Sequence, residues 1–131
     1  KLNDISEVIV VSTCNRTEIY CESSNGVDDI RNWLLSDKEY KPFAKHLYMH
    51  QEEDAIEHLF KVVAGLDSMV IGESEVLGQV KAAYKIALDN KSIDGKLKRL
   101  FEYSFSVAKN VRTNTDIGGN AIYHSCIRLS F

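Results

Sequence analysis

Chemistry-bearing residues cluster at one break in the chain. In the string VVSTCNRTEIY (residues 10–20), an apolar run ends at Cys14, Asn15 and Arg16 and then resumes. A cysteine at a turn between two strands is solvent-accessible, unlike one inside a core strand. The thiolate is the nucleophilic form, and a guanidinium nearby favours it. The residues alone leave two readings open, a nucleophile for acyl transfer and an inert surface thiol. Cys21 and Cys126 read as structural.

Four histidines are candidate bases: His46, His50, His58 and His124. His46 and His50 share KHLYMH, but no C-x-x-C or H-E-x-x-H accompanies them, so no metal is expected. His58 falls on a helix flank beside the main apolar stripe, where the pattern favours a solvated residue over a base. A second polar group lies in GLDSMVIGESEVLGQVK (residues 65–81), where Ser68, Glu73, Ser74, Glu75 and Gln79 surround two glycines. The glycines do not fit G-x-G-x-x-G or a Walker loop. The stretch is either a helix–loop–helix corner or a set of polar groups aimed into a pocket. Lys96, Lys98, Arg99, Lys109 and Arg112 give the last long helix a basic character. That is a solvated face, or a phosphate-contacting one if the ligand is RNA.

The elements that must position these residues follow from periodicity. SEVIVVST is apolar at successive positions and reads as a buried strand, and TEIYCES as its hairpin partner, with the turn near Cys14-Asn15-Arg16. VDDIRNWLLSDK reads as a short helix with Ile30, Trp33 and Leu34 on one face. Pro42 marks a loop before KHLYMH, which is expected to be a further strand. From Glu52 the pattern is helical, with a stripe at Ala55, Ile56, Leu59, Phe60 and Val63. AGLDSMVIGESE interrupts it; VLGQVKAAYKIALDNK and KLKRLFEYSFSVAKNVRTN then form two long helices. The expected class is α+β, a small antiparallel sheet packed with helices. Two or three strands do not make a self-sufficient sheet, so a further strand is expected before residue 1.

Composition narrows the function. The chain has 131 residues, 44% hydrophobic and 27% charged, enough for a sizeable core. A net charge of −3 argues against a dedicated nucleic-acid module. Three irregularly spaced cysteines fit reduced thiols better than a disulfide framework. No apolar run approaches the roughly 18 residues of a membrane span, and KLNDISEVIV does not have the zones of a signal peptide. The expected location is the cytoplasm.

Taken together, STCNRTEIY, AIEHLF, AGLDSMVIGESEVLGQVKAAY and AKNVRTNTDIG resemble the N-terminal catalytic domain of the glutamyl-tRNA reductases, in order, from about Val8 to Asn120. The resemblance implies NADPH-dependent reduction of glutamyl-tRNA to glutamate 1-semialdehyde through a cysteine thioester. This is the first step of the five-carbon route to 5-aminolevulinate and tetrapyrroles. It implies Cys14 as nucleophile and His58 as the histidine near the thiol. Thr13, Asn15 and Arg16 would form the glutamate-binding loop, and Ser68, Glu73, Ser74, Glu75 and Gln79 would line the substrate pocket. Residues 1–94 would be the glutamate-recognition domain and residues 95–131 a helical segment leading toward an NADPH domain outside the chain. A strand, a G-x-N-H-x-x-A segment and a helix would precede residue 1. The intact protein would be a homodimer through a C-terminal domain, with a downstream aminomutase as partner. The competing readings are a cysteine-dependent acyl hydrolase or transferase without nicotinamide chemistry, and a non-catalytic RNA-binding domain.

Overall fold

A computed structural model of the chain describes residues 4–24, 28–66, 70–71, 74–114 and 122–123. The architecture is α+β, as the periodicities predict. Strands β1 (Ile5–Ser12) and β2 (Thr17–Ser23) form an antiparallel hairpin. Helices α1 (Asp28–Ser36), α2 (Glu52–Val63), α3 (Ser74–Asp89) and α4 (Lys96–Asn114) follow. A second antiparallel pair, β3 (Val70–Ile71) with β4 (Ile122–Tyr123), was not apparent from the sequence. Its strands are two residues each, too short for any period to register.

The hairpin sorts its side chains by the strand period of two. Glu7, Ile9 and Val11 of β1 are buried, whereas Val10 is 53% exposed. The reading of SEVIVVST as buried on both faces is therefore corrected. Helices cover one face: α3 packs on β1 and α4 on β2, while α2 packs on both helices. Val76, Val80, Ala83 and Ala87 of α3 meet Leu97, Phe101 and Ala108 of α4 in one core with Ile9, Val11, Leu59, Val62 and Val63. The small residues let the helices approach, and Phe101 fills the centre against the edge of Tyr20, with ring centroids 5.3 Å apart.

Two acids in register, Glu7 and Glu22, both turn to the start of α4. Like charges directly opposite would destabilise the hairpin. Glu7 resolves this by accepting N–H bonds from Asp94 (3.0 Å), Gly95 (2.7 Å) and Leu97 (2.9 Å), which satisfies donors that a helix N-terminus leaves open. Glu22 meets the Lys96 ammonium at 2.8 Å.

Two local expectations are corrected, for KHLYMH and for the buried face of α2. KHLYMH is not a strand: Lys41–His46 is a 3-10 helix with Pro42 in its first turn, and residues 47–50 have no regular structure. Proline's fixed φ suits a helical start, and among the described residues no strand edge pairs with this stretch. On α1, Trp33 is 55% exposed and no residue is fully buried. On α2 the buried residues are His58, Leu59, Val62 and Val63, so the helix is rotated from the apolar stripe and Ile56 is exposed. The same helix ends in a Schellman motif, with Leu66 N–H donating to Lys61 C=O at 2.8 Å and Gly65 N–H to Val62 C=O at 3.1 Å. Gly65 takes the left-handed position there, at φ 77°.

Candidate active site

The β1–β2 turn is built by Thr13. Its backbone N–H donates to the Arg16 carbonyl at 2.9 Å. Its hydroxyl donates to the same carbonyl at 3.3 Å and accepts from the N–H groups of Asn15 (3.4 Å) and Arg16 (3.3 Å). This closed loop leaves Cys14 exposed at the tip. From α3, Gln79 reaches over: its Oε1 accepts the Cys14 N–H at 3.3 Å, and its amide donates to Glu75 at 3.4 Å. The structure thus brings together Thr13, Cys14, Asn15, Arg16, Glu75 and Gln79. Ser74 opens α3. Ser68 and Glu73 lie outside the described residues, as do Cys126 and His124. Cys21 differs from Cys14: it is half-buried in β2, and burial and the neighbouring Glu22 push its thiol up, away from the nucleophilic form.

One strand period past the turn lies a network that sequence reasoning missed. Arg16, just before β2, alternates with Glu18 and Tyr20 on it, and Glu18 and Tyr20 lie opposite Val11 and Ile9 on the buried face. Glu18 is the hub. Its Oε1 accepts from Arg16 Nη1 (3.3 Å), from the Tyr48 hydroxyl (2.6 Å) and from His58 Nε2 (2.7 Å). Oε2 accepts from the Tyr20 hydroxyl. Both partners of the Arg16–Glu18 ion pair have side chains only 7% exposed. Burial alone would raise the Glu18 pKa. The hydrogen bonds of His58, Tyr20 and Tyr48, with the charge of His58, outweigh it and hold the carboxyl at about 2. Burial, with the Glu18 carboxylate beside them, pushes the Tyr20 and Tyr48 hydroxyls up, so both remain donors.

This arrangement places a hydrogen on His58 Nε2. An ionised carboxylate only accepts, so His58 Nε2 carries the proton on that bond. The expectation of a solvated His58 is corrected: the side chain is 9% exposed, and Glu18 meets its burial cost. A signal was present in the sequence. Polar residues at alternate positions of β2 share the face that β1 fills with Ile9 and Val11, and such a face needs internal partners.

Glu18, Tyr48, His50 and His58 also line one end of a cavity of about 620 Å³ between β2, α1, α2 and α4. Cys14 does not line it. Among the described residues no group of His, Cys, Asp and Glu could hold a metal ion, and no helix is long and apolar enough to cross a membrane. The Rossmann-type dinucleotide site combines a parallel sheet with a glycine-rich turn opening a helix. Among the described residues, the antiparallel hairpin and its glycine-free Thr13–Arg16 turn do not fit that arrangement.

Known proteins agree on where this arrangement belongs. The family described as glutamyl-tRNAGlu reductase, N-terminal domain, matches residues 1–115. Glutamyl-tRNA reductase of Aliivibrio fischeri is 43% identical over 129 residues, covering 93% of this chain and 31% of that protein. The enzyme of Xylella fastidiosa is 45% identical over 132 residues, 98% of this chain and 30% of that protein. That of Photobacterium profundum is 46% identical over 132 residues, 94% of this chain and 31% of that protein. The chain thus spans about a third of the length of these curated relatives. With the match covering most of its length, from the thiol-bearing turn through α4, the chain belongs to the glutamyl-tRNA reductase family, in its N-terminal domain.

Proposed function

We propose that this chain recognises the glutamyl group and forms the thioester in an enzyme that reduces glutamyl-tRNA to glutamate 1-semialdehyde, an oxidoreductase of tetrapyrrole biosynthesis. The observation that carries the reading is the exposed Cys14 thiol on a turn held rigid by Thr13 and Gln79. An aminoacyl ester is already activated, so a thiolate attacks it without a strong acid. The Cys14 Sγ–carbonyl carbon bond forms and the ester C–O bond breaks. The pair of electrons leaves with the tRNA 3′-terminal oxygen, which takes up a proton. His58, held by Glu18 through Nε2, is the proposed exchanger of that proton.

Arg16 is the proposed holder of the substrate's side-chain carboxylate, since a guanidinium presents a fork of donors. Glu18 fixes the orientation of that fork while taking up part of its charge. Thr13 and Asn15 shape the loop, and Glu73 answers the α-ammonium. Ser68, Ser74, Glu75 and Gln79 supply the remaining polar contacts. Residues 1–94 form the recognition unit in this reading, and residues 95–131 begin the path to the rest of the enzyme. Lys98, Arg99 and Lys109 on α4 face the tRNA backbone. NADPH belongs to a part of the protein outside these residues, which do not fit it, and no step of the reduction is assigned to them. The same reading makes the whole protein a cytoplasmic homodimer that hands a reactive aldehyde to an aminomutase.

The test uses full-length protein with glutamyl-tRNA carrying labelled glutamate, with and without NADPH. Without NADPH, label accumulates on the protein; with it, label appears as semialdehyde. Cys14→Ser abolishes both, and Cys21→Ser keeps both. Full activity in Cys14→Ser would overturn the mechanism.

A further inference from the structure

Residues 47–50 have no regular secondary structure, yet they lay two rings on His58. The His50 ring stacks on His58 with centroids 4.6 Å apart and planes inclined at 23°. The Tyr48 ring meets His58 edge-on at 5.6 Å and His50 at 5.4 Å. Its hydroxyl reaches past both to Glu18 at 2.6 Å. Neither ring belongs to the hydrophobic core: His50 is exposed and Tyr48 is 36% exposed. Their placement is therefore poorly explained by burial of apolar surface. It is well explained by what they do to the imidazole. A hydrogen bond at Nε2 fixes one atom of a ring and by itself allows rocking about that bond. A stacked face removes the rocking, and an edge contact closes a further side.

We propose that Tyr48 and His50 are positioning residues for His58: Tyr48 seats the Glu18 carboxylate that holds Nε2, and His50 clamps the plane of the ring, so that the imidazole keeps one orientation during the thioester step. The proposal rests on the reading of His58 as the proton carrier of the thioester step. It adds a distinct requirement, that a strap from outside α2 and β2 sets the angle. Errors of about an ångström in the placement of a reacting group cost on the order of 100-fold in rate, and a loss of ring restraint is a smaller error of the same kind.

The experiment follows acylation of full-length enzyme by labelled glutamyl-tRNA in single turnovers, over a range of substrate concentrations. His50→Ala slows acylation about tenfold or more, with the half-saturating concentration within about twofold of wild type. His50→Phe keeps a ring face and restores the rate to within about threefold. Tyr48→Phe keeps the edge contact, loses the bond to Glu18 and is slowed as well. The urea midpoint of His50→Ala is unchanged, because the side chain is exposed. Acylation at the wild-type rate in His50→Ala overturns the proposal, and so does a His50→Phe enzyme as slow as His50→Ala. A second readout is independent of the reaction. In ¹⁵N-histidine spectra of the same full-length protein, His58 shows one set of sharp ring signals with Nε2 bearing a hydrogen, and His50→Ala brings in exchange broadening or a second set. Unchanged His58 signals in His50→Ala overturn the clamp. A wild-type protein that never carries label overturns the functional reading instead and leaves the spectra to decide the clamp.

Discussion

Glu18→Gln isolates what the buried hub contributes. The substitution keeps the shape and removes the charge. A neutral amide, with one oxygen in place of two, cannot accept the four bonds that the carboxylate accepts, and the Arg16 guanidinium loses its buried ion partner Glu18. The magnitude follows from the carboxyl's depression from 4.5 to about 2. At about 1.4 kcal/mol per unit, the native fold favours the ionised form by about 3 kcal/mol at pH 7. The sign follows from the depressed value. The unfolded state binds the proton more readily, so this stability is fully present above pH 4.5 and is lost as pH falls toward 2. By pH 3 the same linkage leaves about 1 kcal/mol. Groups that do not touch Glu18 cancel in the difference between the two proteins. The assay is equilibrium urea unfolding of full-length wild type and Glu18→Gln at pH 7 and pH 3. Expected is a gap of about 3 kcal/mol at pH 7 that narrows by about 2 kcal/mol at pH 3. A gap that stays constant with pH would show that Glu18 is not held ionised by this network, and the assignment of the Nε2 proton on His58 would fall with it.

Arg16→Ala should lower kcat/KM for glutamyl-tRNA by the equivalent of about 2–4 kcal/mol, and Arg16→Lys should also be impaired because an ammonium cannot reproduce the fork. Steady-state kinetics check both, and a loss of less than about threefold in Arg16→Ala, well under 1 kcal/mol, would refute the carboxylate assignment. Glu7→Ala removes a buried cap that three backbone N–H groups share, and should cost about 2 kcal/mol of stability in urea unfolding at pH 7. Burial would raise the Glu7 carboxyl, but the N–H bonds from Leu97, Gly95 and Asp94 hold it below its ordinary value. Its contribution is therefore present above the ordinary carboxylate range and fades as pH falls through the depressed value, so the gap between wild type and Glu7→Ala should narrow in acid.

The long periods were legible in the sequence and the contacts between distant segments were not. The two long helices α3 and α4 follow from their apolar repeats, and the hairpin from two β-branched runs around Cys14-Asn15-Arg16. Thr13, Asn15 and Arg16 are bonded within the turn that carries Cys14, and Gln79, bonded to Glu75, accepts the Cys14 N–H. The rotation of α2 escaped because apolarity was the only guide. Ile56 and Phe60 look like core residues, but the helix instead buries His58 and Val62, and His58 can be buried only because Glu18 lies 2.7 Å away on another element. No local window contains both residues. The same holds for Tyr48, whose stretch has a strand-like composition and is held by a side-chain bond 30 residues distant in sequence. Glu7 is a further case, since its partners at the start of α4 lie at the far end of the core.

The strand period itself divides the labour at the turn. Cys14 falls at the tip, where the chain reverses and a side chain projects into solvent. Arg16 comes after the reversal, already on the face that β2 turns to the helices, and is buried. In the proposed function the Cys14 thiol meets a bulky aminoacyl-tRNA ester, and an exposed tip admits it. A guanidinium that must discriminate one carboxylate gains from a low-dielectric wall, where a charge-assisted bond is stronger and water competes less. Such a wall makes an unpaired cation costly, and Glu18 offsets part of that cost through a fairly long 3.3 Å bond to Nη1. This contact keeps the guanidinium seated while Glu18 directs its remaining acceptor capacity to Tyr20, Tyr48 and His58. One carboxylate therefore orients both the residue proposed to select the substrate and the residue proposed to move its proton. Glu18→Asp, which retracts the carboxylate by one methylene, should disturb the two roles together, raising KM and lowering the acylation rate in the same variant. A change in only one of those parameters would show that the selection and proton-transfer roles are not coupled through this side chain.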